Sequence, residues 1–514
     1  MTSDSSSAKR RAMLRPIPLA PPVIITRFPA SPRIKISLVK PMIDLRSYLR
    51  LTPLRFNVIA LSDGLSSDLE INGNCSLSAK HDRETGGKRG RHKSAQTRDM
   101  ILAAAARSFR SKGYSATKLK EIAAAAGIEA GSLYYYFSSK EELLDDVLDI
   151  GCRSVIKAVG NARAGSEASG GSFRETFGAM VYEHLNYILQ ADDFTAANMR
   201  NFSMLPPPIR ARHRRGFDEY GKIWFDFLTK ARDNGDLRSD MDIRTLRRVI
   251  FGALNWSVEW FNTEQFSVRE YAEKATSLML DGMLIPTHRW KGQIASGVHV
   301  EPMSAELAGK SKAAQTRLHI LISASRVLRE KGYEGITLRH IAEVAGIEAG
   351  SIYYHFASKD EIIDEVLTGG LREITSGVTE VLENETDYPE TIERIAAGVR
   401  AHMLYLYARN DFVTMNIRIY GQLPQEVRQR HRPIRQQYVG IWSRILKQGQ
   451  ATGKIHTDLD IVPARQLMLG ALNWTTNWFN PEFNSMYESK SLEDLINLIL
   501  ILFMDGLDGR REDR

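Results

Sequence analysis

Two short aromatic runs, Tyr134-Tyr135-Tyr136-Phe137 and Tyr353-Tyr354-His355-Phe356, hold the most concentrated polar chemistry of this 514-residue chain. A phenol hydroxyl can donate to an oxygen acceptor, and three consecutive aromatic side chains cannot all point inward from one helical turn. Some hydroxyls must therefore face outward, where they suit the phosphate oxygens of a nucleic acid. Each run closes a longer stretch, Gly127 to Phe137 and Gly346 to Phe356, and the two differ only at Leu133/Ile352 and Tyr136/His355. Gly131 and Gly350 have no side chain to hold a backbone away from a duplex, and Ser132 and Ser351 follow them. Lys140 and Lys359 open the next helix, where a cation and free backbone N–H groups can hold a phosphate together.

The elements that position these groups are also written twice. Ile101, Ala105 and Phe109 recur at i, i+4 and i+8, which predicts an amphipathic helix stopped by Gly113. Leu119, Ile122, Ala123 and Ala126 form the inner face of a second helix, ended by Gly127. Ser132 to Phe137 is the third, with Leu133 and Phe137 as inward plugs. Ser139 and Glu142 make a capping-box pattern for a fourth. The second copy repeats this with Ile320, Ala324, Leu328 and Gly332, then Leu338, Ile341, Ala342, Ala345 and Gly346, then Ile352 and Phe356, then Ser358 with Glu361. Helix, tight turn and second helix is the layout that sets a reading helix in the DNA major groove. Lys88, Arg89, Arg91 and Lys93 precede the first head, and Lys310, Lys312 and Arg317 accompany the second. Such basic arms add salt-dependent, sequence-blind affinity. The bland alternative is that the aromatic residues are core and the charges a solvated face.

The repeat continues beyond these heads. Asn255-Trp256 with Trp260-Phe261-Asn262 returns as Asn473-Trp474 with Trp478-Phe479-Asn480, and Arg212-His213-Arg214 returns as Arg430-His431-Arg432. The fold class implied is all-α, with two tandem repeats that each join a helix-turn-helix head to a helical body. The expected divisions are a poorly ordered basic extension at 1–88, head one at 89–143 and body one at 144–285. A linker at 286–309, head two at 310–362 and body two at 363–509 follow. Trp256/Trp260 and Trp474/Trp478 lie four apart, as on one helical face. With Asn255 and Asn473 they either line a ligand cavity or form ordinary helix–helix packing.

Net charge is +8, but residues 1–60 hold eleven Lys/Arg against two Asp, so the remainder is nearly neutral. Only local patches therefore speak for an anionic partner. That Arg-rich start resembles an organelle transit peptide, a disordered tail, or the product of a start codon placed too early. Cys75 and Cys152 offer neither a disulfide framework nor zinc-ligand spacing, and a reducing cytoplasm fits them. Leu495 to Met504 is too short to cross a bilayer and reads as a core helix. No catalytic motif, metal site or cofactor motif is found: Gly309-Lys310-Ser311 lacks the first glycine of a phosphate-binding loop.

Both heads resemble the N-terminal domain of TetR-family transcriptional regulators. The landmarks are Gly113-Tyr114, Ile122-Ala123, Ala126-Gly127-Ile128, the aromatic run and Ser139-Lys140-Glu141, all repeated in copy two. The resemblance implies a double-stranded DNA operator, roughly palindromic, and a small-molecule effector in the helical body that moves the heads apart. The family often opens the second helix with a hydroxyl residue. Thr337 fits, whereas copy one has Lys118 there, beside Thr117. Glu129 and Glu348 stand where many members carry serine, so each points away from phosphate or accepts from a cytosine amino group. The bodies resemble the branch that controls lipid and steroid breakdown, whose inducers are often acyl-CoA thioesters. That would make Arg200, Arg212, Arg214, Arg418, Arg430 and Arg432 candidate phosphate contacts. One chain could then form an intramolecular pseudo-dimer, its ~25-residue linker spanning roughly 25–30 Å as a coil, with further association into a homodimer open. The last two helices of each body, near 246–261 with 278–284 and 467–479 with 495–503, are the expected seam. The rival readings are one working head beside a dimerisation-only repeat, an enzyme on a helical scaffold hinted at by His213/Arg214 and His431/Arg432, and a protein-interaction module.

Overall fold

A computed structural model describes residues 86–191, 193–194, 207–282, 290, 297–301, 310–420, 423–479 and 491–506. Among them the chain is helical and has no strand. In the first repeat, α1 (Gly86–Ala116), α2 (Leu119–Ala125), α3 (Ala130–Tyr136) and the start of α4 (Lys140–Ala168) build the head. The rest of α4, α5 (Phe173–Asn186), α6 (Pro207–Asp233), α7 (Ile243–Asn255) and α8 (Val268–Asp281) form the body. The second repeat gives head helices α9 (Lys312–Gly335), α10 (Leu338–Ala345) and α11 (Ala349–Ile352), with α12 (Lys359–Leu382) entering its body. That body continues as α13 (Thr391–Ala408), α14 (Asn410–Arg418), α15 (Gln425–Ala451), α16 (Ile461–Trp474) and α17 (Leu492–Met504). The N-terminal residues 1–85 lie outside the described residues. Helix α1 starts at Gly86, earlier than the apolar pattern predicts, so the basic stretch before Ser94 is a helical extension.

Each head has its own core. Ile101, Ala105, Phe109, Ile122, Leu133 and Phe137 meet in the first, and Ile320, Ala324, Leu328, Ile341, Ile352 and Phe356 in the second. The turn between the paired helices is set by Gly127 and Gly346, at φ 70° and 65°, where a Cβ would be strained. At both, the next residue's N–H reaches back over the turn, from Ile128 to Ala123 and from Ile347 to Ala342, each at 3.0 Å. This is the cap that satisfies the last carbonyls of a helix.

The bodies, by contrast, share one core. Apolar side chains of both repeats join in a single cluster, with α7 and α8 packed on α16 and α17, as the sequence predicts. The close approach depends on small residues exchanged between repeats. A Cβ on Gly252 would stand 2.7 Å from the Cβ of Trp474, and one on Gly470 would overlap Trp256. At the far end, Cβ atoms on Gly282 and Gly506 would strike the backbone of the opposite repeat. Lys274 bridges to Asp460 at 3.0 Å. The linker is not a free coil where it is described: Trp290 N–H donates to Asp505 at 2.9 Å, and the Val298 carbonyl accepts from Arg400 at 2.8 Å.

Two expectations need correction. The tryptophan pairs do not share an α-helical face, because the chain tightens to a 3₁₀ turn at Trp256–Glu259 and Thr475–Asn477. Ser257 and Thr475 hydroxyls donate to the Leu254 and Leu472 carbonyls three residues back, which favours the tighter winding. The capping boxes are also displaced. Ser139 and Ser358 cap as expected, but Glu142 and Glu361 reach one residue further back, to Ser138 and Ala357. We predict that Gly470→Val or Gly252→Val lowers the urea-unfolding free energy by about 1–3 kcal/mol each, as overpacking does. Unchanged midpoints would mean that the bodies are free to slide apart.

Candidate functional site

The outward face of each head is aromatic. Tyr134 and Tyr135 are 60% and 83% exposed, and Tyr353 and Tyr354 are 63% and 90% exposed, whereas Leu133, Phe137, Ile352 and Phe356 are buried. Tyr136 and His355 are half-buried, and Tyr136 sits edge-on to Tyr135 at 5.3 Å. A Cβ on Gly131 or Gly350 would meet nothing within 4 Å, which leaves these backbones open. Ser132, Glu129 and Glu348 are exposed, Ser351 half-buried. Lys93, Lys118 and Lys312 are also exposed.

Beneath this face the supports are ionic. Arg98 bridges Asp146 and stands 4.9 Å over the Phe137 ring. Arg317, which the sequence offers as a phosphate contact, is used the same way against Glu365 and Phe356. Lys140 lies 4.3 Å over the Tyr114 ring, and Lys359 5.6 Å over Tyr333. Partial burial lowers the Lys140 pKa from its ordinary value. Thr117 does not reach the surface: it is 1% exposed, its hydroxyl donates to the Gly113 carbonyl at 2.7 Å, and its counterpart is the buried Ile336. Thr337 caps α10 by accepting from the His340 N–H at 3.2 Å, while Lys118 makes no side-chain cap.

The heads are latched to the bodies at matched places. Asp145 of α4 accepts from Arg212 and His213 of α6 at 2.5 and 2.6 Å. Asp364 of α12 accepts from Arg430 and His431 of α15 at 2.7 and 3.1 Å. Arg110–Asp193 and Arg329–Asp411 add a second tie in each repeat. Of the His213/Arg214 and His431/Arg432 pairs, the histidines are thus occupied at the head–body joint and Arg214 and Arg432 are exposed, so neither pair is gathered deep in the body around a ligand.

Inside each body lies a polar triad that sequence reading missed. His184 pairs through Nδ1 with the Tyr220 hydroxyl at 2.6 Å and through Nε2 with Asn255 Oδ1 at 3.0 Å. His402, Tyr438 and Asn473 repeat the arrangement. The shared offset of 218 was the available signal. Burial pushes both histidines down to about 4, only partly opposed by the asparagine bond. A cavity of about 200 Å³ opens beside the second triad, lined by Trp256 and Trp260 from the first repeat and by His402, Asn416, Tyr420, Arg435, Tyr438, Leu469 and Asn473 from the second. Trp474 and Trp478 are not in its wall, and Trp474 packs on Gly252 instead. Asn255 is spent on His184. Arg200 lies outside the described residues, as does the side chain of Arg418.

Residues 101–147 and 320–366 match the profile of bacterial regulatory proteins of the TetR family, and residues 170–283 and 389–482 match the tetracycline-repressor-like C-terminal domain. The chain belongs to the TetR family. It is 28% identical over 196 residues to the HTH-type transcriptional repressor KstR2 of Mycolicibacterium smegmatis, covering 37% of this chain and 91% of that one. It is 25% identical over 194 residues to the fatty acid metabolism regulator protein of Bacillus subtilis, covering 38% and 96%. Among solved structures, FadR from Bacillus subtilis in complex with stearoyl-CoA aligns at 19% identity and a TM-score of 0.31, over 35% of this chain and 96% of that one. The curated relatives each match over about one repeat, and both family profiles match this TetR-family chain twice in tandem.

The buried histidines give a pH signature. They stay neutral in the fold down to about pH 4, whereas the unfolded chain takes up protons near 6.5. Their contribution is therefore full above about pH 6.5 and declines as pH falls toward 4. Each should cost about 2 kcal/mol of stability between pH 7 and pH 5. Denaturant titrations at the two pH values should show this loss, and His402→Gln should remove about half of it. An equal loss in that variant would assign the acid sensitivity elsewhere.

Proposed function

We propose that this chain is a ligand-responsive transcriptional repressor that reads a pseudo-palindromic double-stranded operator with two heads from one polypeptide, in the cytoplasm. The observation that carries the reading is the matched exposure of Tyr134/Tyr135 and Tyr353/Tyr354 on two heads whose bodies share a core. Large aromatic side chains left exposed together at matched places on both heads mark a surface for contact with a partner. Around them Lys93, Lys118, Ser132, Tyr136, Lys140, Lys312, Thr337, Ser351, His355 and Lys359 complete the proposed backbone contacts, with Gly131 and Gly350 giving close approach. Thr117 acts only as an internal brace. The KstR2 likeness supports repression.

The proposed effector is a small apolar or acyl-CoA-type molecule, a class supported by the name of the Bacillus subtilis relative. Helix α14 supplies a route from effector to DNA. Val413, Asn416 and Ile417 line the cavity, while Phe412 and Met415 of the same helix pack into the second head's core. A ligand that shifts α14 must move the head, because close-packed interiors transmit displacement. The asparagines and tryptophans named from sequence thus divide into cavity wall (Trp256, Trp260, Asn473) and support (Asn255, Trp474, Trp478).

Replacing Tyr135 and Tyr354 by alanine together should abolish operator binding in a gel shift while leaving the helical circular dichroism unchanged. Normal binding by the double variant would refute the contact surface. Footprinting of the parent should protect two half-sites. Protection of one alone would favour a single working head beside a dimerisation-only repeat.

A further inference from the structure

Both heads carry the same reading stretch, since Gly127 to Ser132 and Gly346 to Ser351 are identical residue for residue. Whatever bases those residues favour through groove edges, the two heads favour alike. Their surroundings differ in charge. Head one, at 89–143, holds ten Lys/Arg against five Asp/Glu, a net +5, whereas head two, at 310–362, holds eight against six, a net +2. Part of the difference lies where the chain enters each head. Helix α1 begins at Gly86 and takes in the basic stretch before Lys93, while α9 begins only at Lys312, where Ser311 accepts from the Ala314 N–H at 3.3 Å.

The rest lies beside the reading stretch. Lys118, just before α2, is exposed and contributes no cap, whereas its counterpart Thr337 is committed to capping α10. Lys120 and Arg339 match in charge and exposure, but one turn further on Ala124 is replaced by Glu343, both exposed. Residues four apart on a helix are neighbours, so Glu343 opposes the pull of Arg339 on a phosphate. The acidic residue of α2, Glu121, is instead paired with Lys112 at 2.8 Å, and its counterpart is His340. Lys331 matches Lys112 and is exposed, which returns one cation to the second head and leaves the balance with the first.

Resting on the repressor reading above, we infer that the two heads share a base preference but not a grip on the DNA backbone. The first head is a sequence-blind anchor through Lys118 and Lys120, and the second, discounted by Glu343, holds only where the bases also fit. The first head keeps the chain on any duplex, and the shared bodies hold the second nearby at an effective concentration of around millimolar. Exchanging the two half-sites costs nothing, because the base preference is common. What differs is the order in which the heads let go as salt rises.

The test uses the full chain with one head disabled at a time, Tyr354→Ala leaving the first and Tyr135→Ala the second. The probe is a mixed-sequence duplex of about 12 base pairs, too short for two heads a helical turn apart, and binding is read by fluorescence anisotropy from about 50 to 200 mM NaCl. The Tyr354→Ala chain should bind at least tenfold more tightly at the low-salt end, with a log–log salt slope steeper by about 2. Adding Lys118→Thr and Ala124→Glu to it should close most of that gap, and adding Glu343→Ala to the Tyr135→Ala chain should narrow it from the other side. All these positions are exposed, and unchanged helical circular dichroism checks the fold, while a change in salt slope is not something a purely structural role would produce. Equal affinities and slopes in the two single-head chains, or a gap that the charge swaps leave intact, would overturn the inference and spare the repressor reading. A parent chain with no salt-dependent affinity for any duplex would sink the repressor reading itself, and the inference with it.

Discussion

The structure depends on two helices, α7 and α16, touching where neither has a side chain. Gly252 and Gly470 each receive the tryptophan of the other repeat, and Gly282 and Gly506 repeat the exchange near the chain's other crossing. This reciprocity is what an isologous dimer interface looks like, written here in one polypeptide. Because the contact is intramolecular, the second unit's effective concentration is set by the tether, around millimolar for a flexible linker, and the described linker residues are further pinned to the second body.

A joined pair of bodies has consequences for the heads. Each head has a core distinct from the one the bodies share, with body-helix residues such as Ile209, Phe412 and Met415 packed into it, and it is tied to its body by an aspartate held between an arginine and a histidine. His431 is held below its usual pKa chiefly by burial, against the pull of Asp364. Duplication also frees the two halves to diverge, since a residue change in one repeat no longer appears in both. Phe251 against Leu469 and Phe217 against Arg435 are such changes.

Much of this was legible in the sequence because local rules act there. The 3.6-residue period of Ile101, Ala105 and Phe109, the glycines at 127 and 346, and the impossibility of burying three consecutive aromatics each belong to one helix or turn. The repeat offset also exposed the seam. What stayed hidden depends on contacts across long separations. His184 meets Tyr220 and Asn255 at 36 and 71 residues' distance, and no local spacing announces a triad. Arg212 and Arg430 look like free cations until α4 and α12 bring Asp145 and Asp364 beside them. Thr117 looks like a surface hydroxyl but occupies an interior slot that Ile336 fills in the second copy. The Trp256 spacing suggests an α-helical face, and a hydroxyl bond back to Leu254 winds it tighter instead.

If one chain supplies both halves of the proposed DNA clamp, native mass spectrometry of the complex with a minimal palindromic operator should find one 57.9 kDa chain per duplex, and the same stoichiometry when the chain is in excess. Two chains on each minimal duplex, with a duplex cut to one half-site still taking up a chain at undiminished affinity, would contradict it.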